Sequence, residues 1–353
     1  MKPVYLSGCG LACALGLDVT TSLQVLRQGG VSASQCSLPG GLGGSFPYYA
    51  IPYTQTNWND RARDLVRRVA AEAGALQART GALFIATSSF DIGSVEQNRT
   101  QMDYGMFAEK IAEWLDWSGP VYVISTACTS SLNALIAAQA LLNAGDEEEA
   151  LVLGIELDNR LTLGGFAALQ LLSSSSSKPF GVNRNGLVLG EAVAALRLST
   201  RESAPWKMLG GANVVDGSQP TGASAPAVVS MYQRALAASE LTANEVDLIK
   251  VQAAGSPGND AVEAQGLRLA FPSMPALVSF KAAIGHTMGA SGTAEIALLI
   301  ACLEQGVWPK CEFGTDAELG VELVTAAPEK VRHVLATILG FGGSHASVVL
   351  GCT

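Results

Sequence analysis

Two segments of this chain repeat one pattern, and this repeat limits the possible folds more than any other feature. The first reads VYVIS–TA–CTSSLNALIAAQALLNAG, and the second reads ALVSF–KAAIG–HTMGASGTAEIALLIACLEQG. Each predicts a strand, a short turn and a helix of small residues that ends at a glycine C-cap, Gly145 or Gly306. Two related halves would bring the two helix N-termini, with Cys128 and His286, toward one site. One repeated segment is weak evidence, but it suggests a division near residues 203–206.

Strands and helices alternate along the chain, which is typical of layered α/β proteins. Mean hydropathy is +0.28, and 48% of the 353 residues are hydrophobic, as expected where sheets and helices are buried on both faces. We predict an N-terminal half of residues 1–203 and a C-terminal half of residues 204–353. The predicted strands are 4–10, 81–88, 121–125, 149–156 and 206–215, and the predicted helices are 20–28, 61–77 and 106–117.

Composition disfavours several classes of protein. No apolar run approaches the roughly 18 residues of a membrane span, and the net charge of −9 argues against nucleic acid as the main partner. The seven cysteines are scattered without a Cys-x-x-Cys pair, and there are only three histidines. Neither a disulfide framework nor a metal site is therefore predicted.

The N-terminus, MKPVYLSGCG, has two interpretations. One positive charge, an apolar stretch and Cys9 resemble a signal peptide with a lipoprotein cleavage box. The apolar stretch is, however, shorter than the about 7–15 residues of a signal h-region. A first β-strand that ends in a glycine turn is favoured, and we predict a cytoplasmic protein.

A run of five serines occupies residues 173–177. Low-complexity composition of this kind predicts a flexible surface loop. The run leads into PFGVNRNGLVLGEAVAALRL, which is predicted to form a loop, a glycine turn and then a strand.

Cys128 lies where a predicted strand turns into a predicted helix. A thiol at a helix N-terminus meets unpaired backbone N–H groups and the positive end of the helix dipole, and both favour the reactive thiolate. The backbone N–H of Cys128 could also help to bind an oxyanion. The alternative is a small core residue, since free cysteine is among the most buried residue types.

The segment FKAAIGHTMGASGTAE places His286 at the start of the second helix of the repeat. Gly285 and the glycines after His286 allow another backbone to approach closely. Lys281 lies in the preceding turn and Glu295 a few turns beyond, so a Lys held by a Glu could set the charge around the histidine. The alternatives are a hydrogen-bonded core histidine and a surface lysine.

The C-terminal stretch LGFGGSHASVVLG packs Gly340, Gly342 and Gly343 around Phe341. Glycines in this arrangement let backbone N–H groups point into a cavity, which an oxyanion hole requires. The alternative is a tight turn between two core strands.

These segments together resemble the β-ketoacyl synthase family over nearly the whole chain. The matching motifs are VYLSGCGLACALG, TACTSS, PFGVNRNGLVLGE, KAAIGHTMGASG and GFGGSHAS, and they occur in the family's order. The resemblance implies a thiolase-like α/β fold, with two pseudo-repeated βαβαβαββ halves in a layered αβαβα arrangement. It also implies transfer of an acyl chain from an acyl carrier protein, followed by condensation with a malonyl unit that loses CO2.

The resemblance assigns a role to each catalytic candidate. Cys128 would form the acyl thioester, and the backbone N–H groups of Cys128 and Phe341 would form its oxyanion hole. His286 would stabilise the developing enolate or assist decarboxylation, with electrostatic support from Lys281 paired to Glu295. The resemblance implies no cofactor of the chain's own, because the phosphopantetheine arm belongs to the carrier protein. The residues that it assigns to substrate binding are Phe166, Ser256, Gly342, Gly343 and His345.

One departure from the family pattern bears on the chemistry. Members usually carry a second active-site histidine in a loop reading Ala-His-Gly-Thr-x-Thr, but this chain reads VQAAGSPGNDAVEA, with Ala254 at that position. Gly255, Asn259, Asp260 and Glu263 still fit the pattern. Alanine donates no hydrogen bond, so we expect condensation to suffer unless His345 compensates. The segment between GALFIATS and TACTSS also looks trimmed, which leaves the depth of the acyl pocket open.

Such losses are typical of partner subunits, including chain-length factors and the synthase-like subunits of aryl-polyene-type pathways. The resemblance therefore implies a homodimer or, with preference, a heterodimer with a complete ketosynthase. A self-sufficient synthase or acyltransferase and a non-catalytic structural subunit are the alternatives. Carrier docking is predicted on the basic cluster of Arg61, Arg63, Arg67 and Arg68, for which a solvated helix face is the alternative.

Overall fold

The strands of both predicted halves pair into one mixed sheet. The computed structural model describes residues 2–38, 44–77, 79–218 and 220–353. The elements of the first half are β1 (Val4–Cys13), α1 (Val19–Arg27), β2 (Ser34–Ser37), β3 (Ser45–Tyr49), α2 (Trp58–Glu72), β4 (Ala82–Ala86), α3 (Ile92–Asn98), α4 (Tyr104–Leu115), β5 (Val121–Ile124), α5 (Ser130–Ala144), β6 (Glu149–Glu156), α6 (Arg160–Ala168), β7 (Leu189–Gly190) and β8 (Ala192–Ser199). The second half follows as β9 (Trp206–Val215), α7 (Ala225–Ala238), β10 (Leu248–Lys250), α8 (Pro257–Ala270), β11 (Ala276–Val278), α9 (Lys281–Ile284), α10 (Ser291–Gln305), β12 (His333–Leu339) and β13 (Ser344–Cys352).

The order of strands confirms the predicted repeat. The ten-stranded sheet runs β11-β10-β12-β13-β9-β1-β8-β6-β4-β5. Each half contributes five strands to this sheet: β1, β4, β5, β6 and β8 from the first half, and β9 to β13 from the second. Numbered one to five along the chain, the strands of each half lie side by side in the order 1-5-4-2-3. The second strand of each half is parallel to both of its neighbours. The halves meet where β1 pairs with β9, at Val4 opposite Met208. Counting only the five strands that each half adds to this sheet, both halves follow the predicted βαβαβαββ pattern, and the first half carries β2, β3 and β7 in addition. The boundary between residues 203 and 204 stays a prediction.

Helices α5 and α10 lie between the two halves of the sheet. Every residue from Ser291 to Cys302 is buried, which explains why α10 carries small and apolar residues all round rather than on one stripe. On the outer faces, α2 and α4 cover the first half, and α7 and α8 cover the second. These five layers are the predicted αβαβα arrangement. Both central helices end at glycines with left-handed backbone, Gly145 (φ 83°) and Gly306 (φ 61°), as predicted.

Several local predictions need correction. Helix α2 begins earlier than predicted, because the Asn57 side chain caps it by accepting a hydrogen bond from the Asp60 N–H. The serine run lies at the surface in its middle, where Ser174, Ser175 and Ser176 are exposed, but it is anchored at both ends. Ser173 and Ser177 are buried, and the Ser177 hydroxyl donates to the Ala254 carbonyl at 2.8 Å. Buried hydroxyls with such partners hold a loop in place.

The smaller sheet, β2-β3-β7, lies beside the segment that carries His286. Its strand β7 follows the serine segment and forms a bridge to His286 through Leu189. Among the described residues, no helix is both long enough and apolar enough to cross a lipid bilayer.

Candidate active site

Cys128 lies on a sharp turn between β5 and α5. Ala127, directly before it, has a left-handed backbone with φ 53°, which costs a non-glycine residue about 1–2 kcal/mol. Ser130 holds this turn, since its hydroxyl accepts from the Thr126 N–H at 2.9 Å and donates to the Ala127 carbonyl at 2.6 Å. Cys128 itself is only 5% exposed. A nucleophile held on a strained strand-to-helix turn is a recurrent arrangement in enzymes.

His286 is fixed against Cys128 by its own backbone. Its N–H donates to the Val188 carbonyl at 2.7 Å. Gly285 has φ 71°, and a Cβ there would lie 2.9 Å from the Leu189 carbonyl oxygen, so only glycine fits. The result is a distance of 3.1 Å between His286 Nε2 and the Cys128 Sγ. The two halves of the repeat thus bring the thiol and the imidazole into contact.

Ser291 joins His286 to Lys281, a link that sequence reasoning missed. The Ser291 Oγ lies 3.1 Å from His286 Nδ1 and 3.3 Å from Lys281 Nζ. An ammonium group can only donate, so the serine oxygen accepts from Lys281, and its own proton can go to His286 Nδ1 or to Thr287 Oγ1, which lies 3.2 Å away. When Ser291 donates to Nδ1, His286 carries its proton on Nε2, facing the thiol.

The predicted Lys281–Glu295 pair exists, and a second lysine shares it. Lys281 contacts one Glu295 oxygen, and Lys250 Nζ lies 2.7 Å from the other. All three residues are fully buried. Lys250 also donates to the Thr337 carbonyl at 2.6 Å. The sequence signal for Lys250 was a charged residue within the apolar run of β10, since lysine is seldom fully buried without a partner.

The two lysines set the protonation of their neighbours. Burial, together with the charges of Lys281 and Lys250, holds the pKa of His286 well below its usual value. Burial lowers the pKa of Lys250 to about 8. Burial acts to raise the pKa of Glu295, but the two lysines bring it below its usual value overall. His286 is therefore neutral at pH 7 and Glu295 is ionised.

Glu295→Gln is expected to lower the free energy of unfolding by about 3–5 kcal/mol, because it leaves two buried ammonium groups without a carboxylate. Urea denaturation at pH 7 measures this. The matched control is Glu202→Gln, which removes an exposed partner of Arg197 and should cost less than about 1 kcal/mol. Equal small losses in both variants would contradict a charged buried cluster.

The protonation of Cys128 differs from the sequence-based expectation. Burial raises the pKa of the Cys128 thiol to about 11, although Lys281 and the Phe341 N–H act in the opposite direction. The helix N-terminus was expected to favour the thiolate, but the loss of solvation is the larger effect. In the unacylated protein, Cys128 is therefore a neutral thiol.

Alkylation of Cys128 by iodoacetamide is accordingly expected to accelerate about tenfold per pH unit from pH 7 to pH 10, because only the thiolate reacts. Peptide mass spectrometry after timed quenching measures the rate at this residue alone. A rate that levels off near pH 8 would show that the thiolate forms more readily than burial permits.

The Gly-rich stretch places one main-chain donor at the thiol. The backbone N–H groups of Phe341 and of Cys128 itself both act to lower the pKa of the Cys128 thiol. The glycines that follow shape the turn instead of facing the thiol. Gly342 donates its N–H to the Pro220 carbonyl at 2.8 Å, and a Cβ on Gly343 would collide with the Asp216 carbonyl.

A small cavity of about 20 Å³ opens at the Cys128 thiol. Such a volume holds about one water molecule, so an acyl chain requires lining side chains to move. Phe166 stacks on Phe341, with ring centroids 5.2 Å apart and planes at 17°. The lining residues are Cys128, Leu187, Gln252, Ala253, Ala254, Ser256, Asn259, Asp260, Glu263, His286, Leu339 and Phe341.

The predicted substrate-binding residues are placed differently from one another. Ser256 lines the cavity, whereas Gly342, Gly343 and His345 are not among the lining residues. His345 is fully buried on β13, and neither of its ring nitrogens has a hydrogen-bond partner within the described part of the chain. His345 is thus not among the residues that line this small cavity, and its role in substrate binding stays a prediction.

Ala254 presents only its methyl group to the cavity. Its N–H donates to the Asp260 carboxylate at 3.1 Å, and its carbonyl accepts from Ser177. Glu263 accepts from the Gln252 and Ala253 N–H groups, each at 2.7 Å. Burial raises the pKa of Asp260 to about 6 and that of Glu263 to about 8. The side chains of Asp260 and Glu263 thus hold this loop in place, and the Ala254 N–H is already used in a hydrogen bond to Asp260.

The predicted docking cluster contains one buried arginine, Arg61, and three that reach the surface. Arg61 is buried, and its Nη2 lies 2.6 Å from Glu191, so it belongs to the core of the first half rather than to the surface. Arg63 pairs with Asp60 at 3.0 Å. Arg67 and Arg68 are exposed on α2.

Two family profiles match the chain. The profile "Beta-ketoacyl synthase, N-terminal domain" covers residues 60–204, and "Beta-ketoacyl synthase, C-terminal domain" covers residues 209–312. The layered fold and the buried Cys–His pair define a thiolase-like protein of the ketosynthase class. With both profiles matched in order, the chain belongs to the β-ketoacyl synthase family.

Similar proteins include synthases of fatty acids and polyketides. The chain is 29% identical over 273 residues to the chloroplast 3-oxoacyl-[acyl-carrier-protein] synthase II of Arabidopsis thaliana. The aligned segment covers 69% of this chain and 49% of that relative. It is 28% identical to a putative polyketide β-ketoacyl synthase of Streptomyces halstedii, over 69% of this chain and 63% of that relative. The chain thus spans about half the length of the Arabidopsis relative.

Solved structures show the same fold along the whole chain. A ketosynthase in complex with its chain length factor from Xenorhabdus doucetiae matches with a TM-score of 0.86 and 25% identity, covering 100% of this chain and 98% of the other. The ishigamide ketosynthase/chain length factor matches with a TM-score of 0.87 at 20% identity, covering 100% and 99%.

Proposed function

We propose that this protein is an acyl-carrier-dependent subunit of the β-ketoacyl synthase type in fatty-acid or polyketide-type biosynthesis, polyenes included. It takes an acyl group on Cys128, condenses weakly by itself, and works as the chain-length-factor-like partner of a complete ketosynthase. The observation that carries the proposal is a cavity with the Cys128–His286 contact at 3.1 Å on one side and the Ala254 methyl on another.

Acyl transfer uses groups that surround the Cys128 Sγ. The Cys128 thiol first releases its proton to water, and the thiolate then attacks the carbonyl carbon of the carrier thioester. The N–H groups of Cys128 and Phe341 receive the negative charge that develops on oxygen. The carbon–sulfur bond to the carrier arm breaks, and the arm leaves as a thiol after taking a proton. The Nε2–H of His286 and the charge of Lys281 oppose the desolvation cost of the thiolate.

Condensation requires hydrogen-bond donors to a second substrate, the malonyl thioester, in the same cavity. When a malonyl thioester loses CO2, negative charge builds on its thioester oxygen, and His286 supplies one Nε2–H donor there. Ala254 supplies none. Loss of one such donor costs about 10²–10³ in rate, which supports a subunit that accepts acyl groups more readily than it condenses them.

The open edge of the sheet supports a second subunit. Strand β5 is the last strand on one side of the ten-stranded sheet, and its Tyr122 is 40% exposed. Tyr104 and Met106 on α4, which packs on β5, are also exposed. Unpaired strand edges and apolar patches are normally covered. The likeness to chains of ketosynthase/chain length factor complexes points to a ketosynthase as the covering subunit.

Carrier docking is proposed for α2, where Arg63, Arg67 and Arg68 remain at the surface. Asp60 lies 3.0 Å from Arg63 and Asp18 lies 3.8 Å from Arg68, so each carboxylate offsets part of this charge. Arg67 therefore provides the largest share of attraction for an acidic carrier.

The test is reconstitution with and without a complete synthase from the same gene cluster. The purified protein is mixed with an acyl carrier thioester and a malonyl carrier. We expect an acyl adduct on Cys128 in both mixtures, elongated product only when the synthase is present, and one-to-one co-purification of the two chains. Full elongation by this protein alone would show a self-sufficient synthase, and the absence of any adduct would show a structural subunit.

A further inference from the structure

Gln252 is a buried polar side chain that neither the repeat nor the known motifs assign to a role. It is 7% exposed and lines the cavity at Cys128. Within the described part of the chain its side chain makes no hydrogen bond, and its Oε1 is buried without a partner. A buried amide left unpaired costs about 1–3 kcal/mol. Such a group beside a nucleophile indicates a ligand that completes its hydrogen bonds.

The backbone holds Gln252 in place for such a ligand. Its N–H donates to one oxygen of Glu263, and the N–H of Ala253 donates to the other, each at 2.7 Å. Gln252 and Ala254 are two residues apart just beyond β10, and both line the cavity. Because the Ala254 side chain is only a methyl group, Gln252 is the residue of this pair whose side chain brings polar atoms to the cavity lining. Asn259, a neighbouring amide, is already engaged with the Thr221 carbonyl.

We propose that the Gln252 side-chain amide is the second hydrogen-bond donor of this site, and that it donates through Nε2 to the thioester oxygen of a malonyl-type extender. The proposal rests on the proposed function and deepens it, since it names the residue that retains weak condensation without a histidine at position 254. A primary amide has two N–H donors, and rotation of the amide exchanges its donor and acceptor ends.

Decarboxylation and condensation then share these two donors. The bond between C2 of the malonyl group and its carboxylate carbon breaks, CO2 leaves, and the electron pair forms an enolate. Its oxygen receives hydrogen bonds from Gln252 Nε2 and His286 Nε2. The enolate carbon then attacks the acyl carbon on Cys128, the carbon–sulfur bond breaks, and the Cys128 thiolate is released.

Gln252→Leu tests the inference, because leucine keeps the bulk and removes both polar atoms. Two rates are measured on the protein alone: acylation of Cys128 by intact mass spectrometry, and decarboxylation of malonyl carrier to acetyl carrier. We expect decarboxylation to fall at least tenfold while acylation stays within twofold of the unchanged protein. The matched control is Gln139→Leu, which removes another buried glutamine, on α5, that donates to the Met208 carbonyl. This control should leave the ratio of the two rates unchanged.

A second variant keeps the test valid if Gln252→Leu does not fold. Gln252→Met preserves the length of an unbranched side chain but has no hydrogen-bond donor, so decarboxylation should again fall at least tenfold. Decarboxylation at the unchanged rate in either variant, an equal fall of both rates, or no decarboxylation by the unchanged protein would each overturn the role of Gln252. Failure of the unchanged protein to form a Cys128 adduct would instead refute the proposed function.

Discussion

Cys128→Ala is expected to abolish acylation of this protein entirely. The thiol is the nucleophile nearest to His286, with Nε2 and Sγ 3.1 Å apart, and alanine has no atom that can form a thioester. Intact mass spectrometry after incubation with acyl carrier thioester, or with the thiol-directed inhibitor cerulenin, measures the adduct directly.

The matched control is Cys352→Ala, which removes an exposed thiol near the C-terminus and should retain the full adduct on Cys128. An adduct that persists in Cys128→Ala would place the acyl group on another residue. No adduct in the unchanged protein would favour a non-catalytic subunit with Cys128 as a core residue.

Ala254→His is expected to raise malonyl decarboxylation by about 10²-fold, since it returns an imidazole donor to the cavity that the thiol faces. The imidazole must displace other groups from a cavity of about 20 Å³, and the unpartnered Gln252 side chain is the group best able to move. Formation of acetyl carrier from malonyl carrier measures the effect.

Ala254→Leu separates hydrogen bonding from bulk, because leucine fills similar space without donating. It should leave decarboxylation unchanged or lower it. Equal rates in Ala254→His and in the unchanged protein would indicate that position 254 does not limit the reaction. In that case the weak condensation that we propose would need another cause.

Local motifs could be recognised in the amino-acid sequence because their signals lie within a few residues. The turn at Cys128, the glycine before His286 and the glycine caps at Gly145 and Gly306 each depend on steric limits of neighbouring backbone. The alternation of strands and helices likewise predicted the layered α/β fold. The strand order then confirmed the repeat that one pair of segments had suggested.

Contacts between distant parts of the chain could not be predicted in the same way. Lys250 reaches Glu295, and Ser291 lies between His286 and Lys281. Arg61, predicted for a surface cluster, is instead buried against Glu191, because an amphipathic pattern does not say which polar residue finds an internal partner.

By itself, the sequence determined the two-half architecture and the positions of Cys128 and His286 at the starts of the central helices. Only the tertiary structure decided how that site is charged and lined. Burial makes Cys128 a neutral thiol with a pKa of about 11, and the loop that Glu263 holds places Gln252 in the cavity lining. The burial of the thiol and the distances between groups from separate segments depend on how all the layers pack together, so they cannot be predicted from any short stretch of sequence.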